Sequence, residues 1–116
     1  MSKRYWRLRV EDILESLDKI ENYLGQMSFE DFAKAGMTVD AVARNLEVVG
    51  EASRHIPEEL RDQYRQINWK NIIGLRNRIV HEYFGVDLHI VWQIVKNELL
   101  PLKNSLKEIL EQEKDR

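Results

Sequence analysis

Hydrophobic residues recur along this chain at spacings of three and four, the period of one face of a helix. Trp6, Val10, Ile13, Leu14, Leu17, Ile20 and Leu24 form the first stripe, with Gly25 as a stop signal, so the pattern predicts a helix over residues 4–24. A short helix is expected over residues 28–35, ending at Gly36. A third begins near Thr38, a suitable N-cap, carries Val39, Val42, Leu46 and Val49 on one stripe, and ends about His55, before Pro57. Gly50 lies inside it, where glycine costs about 1 kcal/mol relative to alanine; either close backbone packing requires it or the helix tolerates it.

Residues 57–70 read as a helical turn plus a connection, and a fourth main helix is predicted over residues 69–84, with Gly85 just beyond. Asp87 is placed to cap the last helix, in which Leu88, Val91, Val95, Leu99, Leu102, Leu106 and Ile109 repeat over about 26 residues, roughly 39 Å. Pro101 should kink it near residues 97–101. No run alternates in the two-residue period of a strand, and the chain has two prolines and five glycines. The expected fold is therefore all-α: an antiparallel four-helix bundle with one or two short extra helices, in a single domain over residues 1–116.

Composition narrows the function classes. With 116 residues, 43% hydrophobic and 33% charged, the chain has a globular balance that argues against a disordered tail or a multi-domain enzyme. A domain of this length buries only roughly two thirds of its unfolded surface, so a large enclosed active site is hard to build in one copy and sites between copies are favoured. The absence of cysteine excludes disulfides, thiolate metal sites and a cysteine nucleophile, and fits a reducing compartment. No stretch approaches the roughly 18 apolar residues of a membrane span, and the chain is charged from Lys3 onward with no signal-like apolar segment behind it, so a cytoplasmic protein is expected.

The formal net charge of −2 makes no case for nucleic acid, but the charge is unevenly spread. Residues 1–9 carry +4, 10–53 carry −7, 54–78 carry +3, 79–102 carry −2, and 103–116 balance. Either a basic surface coexists with an acidic one, or these are ordinary solvated faces.

Candidate chemistry concentrates in Arg76-Asn77-Arg78-Ile79-Val80-His81-Glu82-Tyr83. At about 100° per residue from Arg76, Tyr83 falls near −20°, Asn77 near 100° and His81 near 140°. Ile72, Leu75, Ile79 and the Tyr83 ring share an arc of about 80° suited to the core, and Arg78 and Glu82 are expected to face solvent. Arg76, Val80, Ile73, Phe84, Asn77 and His81 occupy the remaining arc of about 140°, where polar groups alternate with apolar ones too large to expose. That arc calls for a second copy packed about a two-fold axis. Cleavage of RNA through its own 2′-hydroxyl needs a proton acceptor, a proton donor for the departing 5′-oxygen and positive charge at phosphorus. Either one imidazole per chain gives two per dimer and arginine forks bind phosphate, or the motif is a surface Arg–His pair on a helix that only dimerises. His81 also lies in the last turn of its helix, where the dipole favours its protonated form.

Arg76-x4-His81-x-Tyr83, set between Trp69 and Asp87, resembles the signature of the HepT-like ribonucleases of the HEPN superfamily. The similarity extends to Gly50-Glu51-Ala52, Val91-Trp92 and Leu100-Pro101 and spans nearly the whole chain. It implies a homodimeric, metal-independent ribonuclease toxin of a toxin–antitoxin pair that needs no cofactor and acts on RNA, with tRNA the expected target. Arg76 and His81 match the catalytic pair, and Asn77 the supporting polar position. Tyr83 matches the tyrosine adenylylated by a partner nucleotidyltransferase of the MntA type, which neutralises the toxin. The wheel supplies a physical reason, since AMP on Tyr83 would set an anionic phosphodiester and a bulky base beside Arg76. The alternative is a non-catalytic helical subunit that binds a nucleotidyltransferase and helps hold its substrate.

Other candidates carry less. A zinc site is not expected, because His81 and His89 straddle a helix break and Glu82 points away from His81. His55 near a helix C-terminus is a favourable dipole partner. Trp6, Trp69 and Trp92 fall on or beside apolar stripes, where core packing is favoured over base stacking. Lys3, Arg4, Arg7 and Arg9 either touch RNA phosphates or form a solvated terminus. No phosphate-cradling glycine loop or nucleophile elbow is present.

Overall fold

The computed structural model describes residues 3–84 and 87–114, with the side chains of residues 5–79 and 87–114. The described residues are helical in every regular element. Helix α1 spans Lys3–Leu24 and buries Trp6, Val10, Ile13, Leu17, Ile20 and Leu24, while Leu14 is half-buried at the edge of the stripe. It stops at Gly25, whose φ of 49° is left-handed and open to a residue without Cβ, and whose N–H donates to the Glu21 carbonyl at 3.0 Å. Helix α2, Phe29–Lys34, starts with a reciprocal cap: Asp31 N–H donates to Ser28 Oγ at 3.1 Å, and Ser28 N–H to Asp31 Oδ2 at 3.2 Å.

Helix α3 spans Gly36–Arg54 and begins two residues before the expected Thr38. Only Ala35 separates it from α2, and the first helical bond already runs from Val39 N–H to the Ala35 carbonyl at 2.9 Å, so Thr38 lies within the helix and does not cap it. Helix α4, Glu58–Gln63, comes after Pro57. The helix expected over residues 69–84 is instead broken at Gly74 into α5, Trp69–Ile73, and α6, Leu75–Phe84. Gly74 closes α5 by donating to the Lys70 carbonyl at 3.0 Å; a Cβ there would sit 3.2 Å from that same oxygen.

The last run comprises α7, Leu88–Gln93, a π-helical segment, Ile94–Leu99, and α8, Leu102–Gln112. Asp87 caps α7 as expected, its Oδ1 accepting from His89 N–H at 3.0 Å. The kink expected at Pro101 takes the form of a wider turn, in which Leu100 N–H reaches back five residues to the Val95 carbonyl at 3.0 Å. Proline has no N–H for the carbonyl four residues before it, and its ring crowds that carbonyl, so the preceding turn widens.

Helix α3 packs most extensively on α1 and also touches α5 and α6, while α8 lies along α1. Val42, Leu46 and Val49 of α3 meet the α1 stripe in a core completed by Leu75, Ile94, Leu99, Leu106 and Ile109. Polar ties close the edges: Lys103 Nζ pairs with Asp18 and, at 2.8 Å, with Glu21, and Arg7 Nη1 donates to the Leu110 carbonyl at 3.2 Å. Trp6 and Trp69 are core residues, the latter donating from Nε1 to the Tyr64 carbonyl at 3.1 Å. Trp92 is half-buried against Phe32, with Lys96 Nζ 4.9 Å from its ring centroid. Among the described residues no helix is long and apolar enough to cross a membrane.

Candidate functional site

The core-facing residues of the motif region set its rotation. Ile72, Leu75 and Ile79 are all buried, as the wheel requires. The α3 surface beneath this corner carries Gly50. A Cβ built there would lie 3.2 Å from the Ile72 carbonyl oxygen, 3.5 Å from that of Ile73 and 3.5 Å from Leu75 Cβ. Close packing is therefore the reason for this glycine, and it draws the α5–α6 corner down onto α3. Arg76 and Asn77, in the first turn of α6, are left exposed above the contact.

They line a groove of about 680 Å³. Arg44, Glu47, Val48, Glu51 and Arg54 of α3 and Arg9 and Asp12 of α1 also line it. Most of these charges are compensated. Arg54 donates to Glu51 Oε1 at 2.7 Å and to Oε2 at 3.4 Å, and His55 Nε2 lies 3.1 Å from Oε1. The Arg54 hydrogen bond, followed by that of His55, holds the Glu51 carboxyl down to about 2, and the same pairing raises Arg54 above the ordinary guanidinium value. Arg9 Nη1 lies 3.8 Å from Asp12 Oδ2, and its Nη2 donates to Tyr5 Oη at 3.0 Å. Among the described residues neither Arg76 nor Arg44 has a hydrogen-bond or ion-pair partner, and a guanidinium fork is suited to binding an anion.

The structure thus brings Arg76 and Asn77 together at the groove. His81 and Tyr83 belong to the α6 backbone, and their side chains, with that of Glu82, lie outside the described residues. Arg78 does not face solvent as expected. It is half-buried and makes a two-pronged bond to Glu98, Nη1 to Oε1 at 3.0 Å and Nη2 to Oε2 at 2.9 Å, because the π-helical segment brings that carboxylate alongside α6. Glu98 in turn raises the Arg78 guanidinium above its ordinary value. His55 sits at the C-cap of α3, the dipole position expected, and also pairs with Glu51. His89 stacks on Phe29 with centroids 3.6 Å apart, fastening α7 to α2. Among the described residues no three His, Asp or Glu side chains converge as a metal site would require.

Apart from Gly50-Glu51-Ala52, the α3 side of the groove is not marked out by the sequence reading. Arg44, Glu47, Glu51 and Arg54 succeed one another at spacings of three, four and three, a polar stripe that the apolar one overshadows.

A groove lined by Arg44 and Arg76, neither paired among the described residues, with a neighbouring amide in a short all-helical chain, suits a phosphodiester. Comparison with known proteins decides the lineage: the family model described as "Ribonuclease HepT-like" matches residues 13–109. The chain belongs to the HepT-like ribonuclease family. Among its relatives, "Putative RNase MJ0127" of Methanocaldococcus jannaschii is 40% identical over 115 residues, covering 99% of this chain and 93% of its own. "Putative RNase TTE0752" of Caldanaerobacter subterraneus subsp. tengcongensis is 38% identical over 105 residues, 90% of this chain and 94% of its own. "Probable ribonuclease HepT" of Thermococcus cleftensis is 36% identical over 107 residues, 92% and 97% respectively. No solved structure matches this HepT-like chain.

Proposed function

We propose that this chain is the ribonuclease toxin of a toxin–antitoxin pair, working in the cytoplasm as a two-fold homodimer on RNA, with tRNA as its target and without metal or cofactor. The observation that carries the reading is Arg76: a guanidinium with no partner among the described residues, beside Asn77 in the groove lining, in a chain that matches a ribonuclease family over most of its length. In the proposed reaction His81 of one copy takes the proton from the ribose 2′-hydroxyl, whose oxygen bonds to the adjacent phosphorus. The P–O5′ bond breaks, and the departing 5′-oxygen receives a proton from the His81 imidazole of the other copy. Arg76 binds the phosphorane charge in a planar fork and Asn77 adds a neutral donor. Control falls to Tyr83, to which a partner nucleotidyltransferase of the MntA type transfers AMP from ATP with release of pyrophosphate, placing a phosphodiester where Arg76 would otherwise meet RNA.

Pure protein incubated with tRNA in EDTA should yield fragments ending in 2′,3′-cyclic phosphate and 5′-hydroxyl. His81→Ala should abolish the cleavage, and Arg76→Ala should lower it about 100-fold or more with the fold intact. Light scattering at micromolar concentration should report a dimer. Coexpression with the neighbouring nucleotidyltransferase should raise the intact mass by whole AMP units, and Tyr83→Phe should remove the shift. Wild type and His81→Ala equally inert after removal of any AMP would replace this reading with that of a non-catalytic subunit of a nucleotidyltransferase complex.

A further inference from the structure

We propose that Arg78 and Glu98 form a positioning clamp that holds α6 at the rotation in which Arg76 and Asn77 face the groove; its activity arm rests on the ribonuclease reading above. The two bonds, at 3.0 and 2.9 Å, run from two guanidinium nitrogens to the two carboxylate oxygens, a two-pronged pairing that fixes direction as well as distance. Arg78 stands about 200° around the helix from Arg76, so the grip is on the side away from the groove. The Gly50 contact holds the corner one turn earlier, at the Ile72 and Ile73 carbonyls of α5 and at Leu75 Cβ, the first residue of α6. A helix held only at its first residue can roll about that contact, whereas a second attachment one turn further along fixes its rotation. The carboxylate belongs to the π-helical segment that Pro101 imposes, a kind of irregularity that recurs at functional sites. Across it Val95 and Leu99 stay buried while Glu98 points at α6. With side chains 32% and 38% exposed, this ion pair adds little to global stability, so its contribution is geometric. Displacing a phosphate-binding group by about 1 Å can cost 100-fold in rate.

The test compares Glu98→Gln, which keeps shape and removes charge, and Arg78→Lys, which keeps charge and removes the fork, with wild type. Each should lower kcat by about tenfold or more, leave KM within about twofold and leave Tm within a few degrees. Backbone amides of α6 should exchange hydrogen faster while those of α1 and α3 do not change. The reciprocal double exchange, Arg78→Glu with Glu98→Arg, should recover part of the rate. Unchanged cleavage and unchanged α6 exchange in both single variants overturn the clamp. So does a Glu98→Gln chain that cannot fold beside an Arg78→Lys chain that behaves as wild type. If wild type cleaves no RNA, exchange alone decides: faster α6 exchange in the variants upholds the clamp while the ribonuclease reading falls, and unchanged exchange overturns the clamp.

Discussion

The α1–α3 pair and the corner formed by α5, α6 and the π-helical segment are built on opposite plans. Along α1 and α3 the helices run unbroken over Lys3–Leu24 and Gly36–Arg54, the apolar stripes face each other, and pairs such as Glu15–Lys19 and Glu51–Arg54 close within one helix. At the corner the helical path is interrupted at Gly74 and widened before Pro101, and Arg78–Glu98 joins side chains twenty residues apart. An unbroken helix repeats one face, which suits a core but aims every polar residue outward in the same register. A break re-aims the next turn of helix, and the candidate residues Arg76 and Asn77 come directly after one. Regularity supplies the foundation and irregularity supplies the aim.

Substitutions in the two regions should separate stability from aim. The largest effect on folding belongs to the regular half: Leu46→Ala, at a fully buried α3 position, should lower the unfolding free energy by about 3 kcal/mol in urea titration, with cleavage per folded molecule unchanged. A parallel loss of specific activity would show that the core and the groove are not separable.

Gly50→Ala sits where the two plans meet. Alanine gains about 1 kcal/mol of helix propensity, against an overpacking cost of about 1–3 kcal/mol, since the added methyl would lie 3.2 Å from a backbone carbonyl that belongs to the end of α5. A net loss near 1 kcal/mol is expected, with cleavage reduced about tenfold as Arg76 shifts. Equal stability and equal cleavage would mean the corner is not seated on that glycine.

The smallest effect is electrostatic. Glu51 is held at about 2, below its ordinary 4.5, so the ionised form is favoured in the folded chain. Its contribution is complete above pH 4.5 and disappears as pH falls toward 2. Because the pair is exposed, the contribution to stability is slight, and a carboxyl NMR titration reads it directly. The Glu51 midpoint should lie near 2 in wild type and rise toward the ordinary range in Arg54→Ala.

Some of this was open to reading from residue order. The α1 stripe, its stop at Gly25, the short helix after Ser28, the cap at Asp87 and the core face of Ile72, Leu75 and Ile79 are all set by local rules that need no neighbour. Arg76 and Asn77 were recognisable by their place on the wheel and by resemblance to a known signature. The break at Gly74 and the partner of Arg78 were not. A glycine within a helical pattern is compatible with continuation or with termination, and packing against α3 selects between them. An arginine on the outer face reads as solvated unless the element opposite is known to carry an acid in reach.

Periodicity and caps alone therefore determined an all-helical chain, its main segments and the helix that carries the motif, because a residue's helical face depends on spacings of three and four and its ends on adjacent side chains. Tertiary structure alone decided how that helix is rotated and seated. Gly50 meets a carbonyl from α5, and Arg78 meets a carboxylate turned by a proline twenty-three residues downstream. Both are contacts between segments distant in the chain, and such contacts exist only once the segments have packed.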